Sequence, residues 1–167
     1  NLQVSVNTQP TWLGPTPVTG LRNTIAAVDP SHATPAQPTD NNYHVVIEGV
    51  SGTGIVNEST SGCTFTGTSE ANDKGVTEDS GCRRNTYIGM NQEQNNMQDM
   101  DLNGVLTTVL NCYNNSDASA PNVTTSSTTE NLTIIGGTLR SLDLDDASHS
   151  TTLIGVQMPD DSSGLGI

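Results

Sequence analysis

The sequence predicts an all-β fold, chiefly an antiparallel β-sandwich, with a parallel β-helix as the alternative. Three observations carry the prediction. Only 32% of the 167 residues are hydrophobic, well below the roughly 45–50% of soluble domains, a reference that also counts glycine. Aromatics make up 3%, namely Trp12, Tyr43, Phe65, Tyr87 and Tyr113, so the core must rest on Val, Ile and Leu in thin layers. Those aliphatics come in short β-branched runs between Gly, Ser, Asn and Thr, which reads as strands separated by frequent turns.

Along the chain, Leu2, Val4 and Val6 alternate with Gln3 and Ser5, a short terminal strand. Six of the eight prolines follow before residue 40. Proline cannot donate to a ladder, so this stretch reads as an extended arm. Two regions result: residues 1–40, a strand with a Pro-rich arm, and residues 41–167, one β-rich domain. Tyr43–Val50 is β-branched and ends at Ser51-Gly52-Thr53-Gly54; Ile55-Val56 and Cys63–Thr66 continue the strand pattern. Ser69–Arg84 and Asn114–Glu130 are small and polar and read as loops. Leu102, Val105, Leu106, Val109, Leu110 and Tyr113 recur at three- and four-residue spacing, which predicts a short helix near residues 99–112. Leu132–Leu144 and Thr151–Met158 supply further strands. No repeat of fixed period stands out, which favours the sandwich over the β-helix.

Charge narrows the partners. Lys74 is the only lysine, and 18 acidic residues give a formal net charge of −13. Nucleic acid requires clustered Lys and Arg to displace counterions, and only Arg83 and Arg84 adjoin. An anionic membrane surface is disfavoured for the same reason. No apolar stretch approaches the roughly 20 residues that span a bilayer.

Three cysteines are too few for a zinc site of ordinary spacing. Cys63 and Cys82 each follow a glycine and bracket a polar segment, which predicts a disulfide between them in an oxidising compartment. Cys112 is then left over; the pairings Cys63–Cys112 and Cys82–Cys112 stay open. Asp143, Asp145 and Asp146 form a cluster of hard oxygen donors suited to calcium, the one cofactor the sequence offers, although a solvated acidic face explains them as well. Asp160-Asp161 and Asp99/Asp101 are further acidic pairs. No phosphate loop, dinucleotide fingerprint, nucleophile elbow or HExxH motif occurs. His149 beside Asp145, Asp146 and Ser148 makes no triad by sequence alone. Four N-x-[ST] sequons, at Asn57, Asn114, Asn122 and Asn131, are candidate glycosylation sites, with Asn114 and Asn122 in the most exposed predicted loop.

These features predict a non-enzymatic extracellular or cell-surface structural protein that self-associates into a homopolymer: a subunit of a filament, pilus-like fibre or surface layer. Leu2, Val4 and Val6 would form the assembly strand, completing the sheet of a neighbouring copy. Two alternatives stand beside it. One is an adhesin or receptor-binding module recognising a glycan or cell-surface receptor through its loops. The other is a β-helical polysaccharide-active fragment, with Asp143 and Asp145 converging in a groove.

Overall fold

A computed structural model describes residues 40–116, 121–145 and 150–158, together with the backbone of three strands at residues 2–7, 21–23 and 164–166. The chain winds as a parallel β-solenoid of about five turns. All-β holds, but the antiparallel sandwich does not. Every pair of named strands runs parallel. The β-helix alternative is the fold observed.

Two sheets form the walls. One stacks β1 (Leu2–Asn7), β3 (Asn42–Glu48), β5 (Thr64–Glu70), β7 (Thr86–Gln92), β9 (Thr108–Leu110), β12 (Thr133–Ile135) and β15 (Thr152–Ile154). β10 (Tyr113–Asn114) and β13 (Thr138–Leu139) pair at its side, making nine strands. The second, of seven strands, stacks β2 (Leu21–Asn23), β4 (Thr53–Asn57), β6 (Lys74–Glu78), β8 (Gln98–Leu102), β11 (Val123–Thr125), β14 (Ser141–Asp143) and β16 (Gly164–Gly166). β1 and β2 therefore extend the two sheets, pairing with β3 and β4 of the same chain. The Pro-rich remainder of the arm lies outside the described residues.

In-register stacking places like side chains in columns. Tyr43 pairs with Phe65, Phe65 with Tyr87, Tyr87 with Val109, Val109 with Ile134 and Ile134 with Leu153. The first three rings stack inside the solenoid, with centroids 4.9 and 5.2 Å apart. Ile55, Val76, Met100, Val123 and Leu142 bury opposite, from the second sheet. A thin core of single columns meets the shortage of apolar residues, because each coil needs only a few.

Corners repeat as well. Asp40, Gly62, Arg84, Leu106, Asn131 and Ser150, each just before a strand of the nine-stranded sheet, all have positive φ. Backbone bonds tie these levels together: Asp40 N–H to Ser61 C=O, Gly62 to Arg83, Arg84 to Val105 and Leu106 to Glu130. A second corner carries a buried side-chain ladder. Val50 N–H donates to Asn72 Oδ1 at 2.9 Å, Asn72 N–H to Asn95 Oδ1 at 3.1 Å, and Asn95 N–H to Ser116 Oγ at 2.9 Å. These amides satisfy backbone donors that the turn takes out of the sheets. Within β5, Gly67 (φ 111°) permits a bulge against β7; an added Cβ would lie 2.0 Å from Val45 O.

The expected helix near 99–112 is absent: those residues form β8, a corner and β9. The helical spacing was accidental. Leu102 and Val109 point inward, while Leu106 sits on a corner at φ 62° with 49% exposure. The two predicted loops are likewise coil wall in part. Ser69–Arg84 contains β6, and Asn114–Glu130 contains β11 and buries Asn114, Ser116, Asn122 and Thr129. Polar composition misled there because the interior itself is partly polar.

Candidate binding face

Alternation along a strand sends every second side chain outward. On the nine-stranded sheet this builds three outer columns. Asn42, Thr64, Thr86, Thr108, Thr133 and Thr152 stand in register through six successive strands. Five threonines in line, at roughly 4.8 Å per strand, present hydroxyls and methyls over about 19 Å. Beside them run His44, Thr66, Ile88, Leu110, Ile135 and Ile154. Ile88 is 37% and Ile154 52% exposed. A third column joins Val46, Thr68, Asn91, Tyr113 and Thr138.

These columns carry no carboxylate in a chain with 18 acids. The acids lie at the margin, where Asn91 Nδ2 donates to Glu70 Oε2 at 2.9 Å and to Glu93 Oε2 at 3.2 Å. Burial first, then the neighbouring Glu48 and Glu93 charges, push the Glu70 carboxyl up from its ordinary value. In the second column His44 Nδ1 lies 3.1 Å from Thr66 Oγ1. The result is a flat surface of hydroxyls and aliphatic side chains bordered by negative charge. Such a surface, which also carries the His44 imidazole, can hydrogen-bond and exclude water along a repeating neutral polymer.

Opposite, the outer side of the seven-stranded sheet is charged. Asp101, Thr124 and Asp143 are register neighbours there, and Lys74 Nζ bonds Asp101 Oδ2 at 3.0 Å. Asp99, two residues from Asp101, instead turns into the interior. It accepts from Asn95 Nδ2 at 2.9 Å, Asn122 Nδ2 at 2.8 Å, and the Oγ and N–H of Ser116. Burial raises its carboxyl, against those hydrogen bonds.

The sequence-predicted sites fare differently. Cys63, Cys82 and Cys112 are buried, and the expected Cys63–Cys82 disulfide is not formed. The two point to different partners: Cys63 Sγ to Ser61 C=O, Cys82 Sγ to Asn57 C=O. Burial pushes the Cys82 thiol up to about 12 and the Cys112 thiol up to about 11, which keeps both as unreactive thiols. Asp143 is exposed, and Asp145 N–H donates to Thr125 Oγ1 at 3.0 Å. Asp146, His149 and Asp160-Asp161 lie outside the described residues. Among the described residues no group of three or more His, Cys, Asp or Glu is placed to hold a metal.

Three of the four sequons are interior. Asn57 is fully buried and its Nδ2 donates to Tyr87 Oη at 2.6 Å, while Asn114 and Asn122 are 2% and 1% exposed. None can carry a glycan in the folded chain. Asn131 sits exposed on a corner, which reverses the expectation that favoured Asn114 and Asn122. Leu2, Val4 and Val6 lie on β1, whose backbone pairs with β3; their side chains are outside the description. Among the described residues no helix is long and apolar enough to cross a membrane.

The threonine column and the interior amides escaped the sequence reading. Their signal was present as a spacing of 22 residues, in Thr64, Thr86 and Thr108 and in Tyr43, Phe65 and Tyr87. Compared with protein-family models, curated proteins and solved structures, the chain matches none of them.

Proposed function

We propose that this chain is a non-enzymatic, extracellular β-solenoid that holds a neutral polysaccharide along the outer face of its nine-stranded sheet. One observation carries the reading: five threonines in register beside a column of aliphatic residues, uncharged within a chain of net charge −13. A linear glycan repeats hydroxyls and C–H faces along its length, and the columns repeat matching groups along the solenoid axis. Tyr113, 38% exposed at the margin, offers one aromatic surface for a sugar ring. Binding without cleavage fits a face lacking carboxylates, since glycoside hydrolysis uses a facing carboxyl pair.

The test is retention on insoluble cellulose, chitin and xylan, with Thr108→Glu and Leu110→Glu as variants and Asp143→Asn as the control on the opposite sheet. Each face variant should weaken retention by at least about tenfold, through a buried charge at the contact, while the control binds as before and no reducing ends appear. Equal retention of wild type and face variants would overturn it, as would no retention at all.

A second reading, the filament subunit, keeps one supporting feature. Along its main path the nine-stranded sheet ends in β1 and β15, and open sheet edges recruit further strands. Donation of β1 to a neighbour would require it to leave β3. Removal of residues 1–9 should then abolish polymerisation seen with the full chain; fibres from the shortened chain would exclude strand exchange.

A further inference from the structure

Glu78 stands on an inner column of the seven-stranded sheet, between Asn57 below and Leu102 above, and is fully buried. Two donors meet its carboxyl: Asn85 Nδ2 reaches Oε1 at 2.7 Å and Thr107 Oγ1 reaches Oε2 at 2.7 Å. Asn85 also accepts Cys63 N–H at 3.0 Å and donates to Thr60 Oγ1 at 2.7 Å. One carboxyl thus joins β6 to the corners that precede β7 and β9. The titratable groups facing it are Asp79, next in the chain, Cys82 on the following turn and the Tyr87 phenol on β7. No cation is among them. Arg84 instead turns to the corner, where Nη2 bonds Ser61 Oγ at 3.4 Å.

We propose that Glu78 is a pH-dependent latch: as a neutral acid it closes the junction of these coils, and its ionisation loosens that junction. An ionised Glu78 has no countercharge among the described residues and must be held by three donors, the Asn85 amide, the Thr107 hydroxyl and the Gly104 backbone. The neutral acid buries no charge, and its O–H has an acceptor once the Thr107 hydroxyl turns. Burial, the largest influence, raises its pKa from 4.5 to about 7. The unfolded chain therefore ionises first as pH rises. Stability from this group is intact below about pH 4.5, declines between there and about pH 7, and stays reduced above. The inference is independent of any ligand on the outer face.

Denaturant unfolding of the full chain between pH 4.5 and 8.5 tests it, comparing wild type with Glu78→Gln. The folded-to-unfolded ratio of wild type should fall by a further few hundred-fold over this range relative to the variant, about 3 kcal/mol. Glu78→Gln should be the more stable protein at pH 8. Parallel curves would overturn the latch. Infrared difference spectra of wild type supply a reading independent of the variant: a buried protonated carboxyl should titrate near pH 7. A spectrum with no carboxyl titrating above pH 6 would equally overturn it.

Discussion

The coils built on β3, β5 and β7 and those built on β12 and β15 have the same plan but not the same depth. In the first group each strand has seven residues, three aromatic rings stack, and asparagines close a corner. In the second each strand has three residues, and the inner column ends in Leu153, 38% exposed. The spacing of paired residues changes at the same place: Thr64, Thr86 and Thr108 are evenly spaced, whereas Thr133 and Thr152 follow at unequal intervals. The comparison teaches that regular spacing and core depth go together. The rings stack where successive turns are 22 residues long, while the amide ladder accommodates steps of 22, 23 and 21 residues.

Truncating the aromatic stack gives the largest effect. Phe65→Ala should cost about 3–5 kcal/mol, because its ring contacts Tyr43 and Tyr87 on both sides, read as a drop in denaturation midpoint. The amide ladder comes next. Asn95→Ala leaves Asn72 N–H without its buried acceptor and Asp99 without one donor, and should cost about 1–3 kcal/mol. Leu153→Ala, same column but last coil, should cost only about 1 kcal/mol, well under a fully buried leucine; a loss equal to that of Phe65→Ala would erase the contrast between the two regions. Smallest, and opposite in sign, is Leu106→Gly. It relieves a left-handed leucine and should raise stability by about 0.5–1 kcal/mol, read as a higher midpoint; a fall would show that the half-exposed side chain contributes more than its backbone costs.

How much of this was legible in the sequence follows from the same contrast. Strand content and thin layers come from composition. Parallel pairing was missed because short strands between tight turns look alike in a sandwich and a solenoid. Only register distinguishes them, and the 22-residue recurrence of Tyr43, Phe65 and Tyr87 was its trace. Periodicity failed again at Leu102–Tyr113, where a corner mimicked a helical stripe. The deepest error concerned polarity. Asn72, Asn114 and Asn122 read as loop, yet all are buried. In a solenoid each corner removes backbone donors from the sheets, and amide side chains are the natural replacement. The outer face stayed hidden for a related reason: a threonine means little until it is known to stand above another.

An uncharged strip on a strongly acidic body also fixes how contact at that strip should respond to ionic strength. Under the proposed glycan binding, direct contacts there would involve hydroxyls and aliphatic groups, which salt barely weakens. Long-range repulsion between the acidic body and any anionic surface is screened within about 10 Å at 0.1 M salt. Adding salt should thus leave attachment to a neutral matrix unchanged and permit attachment to an acidic one, the reverse of what a charge-driven binder would do.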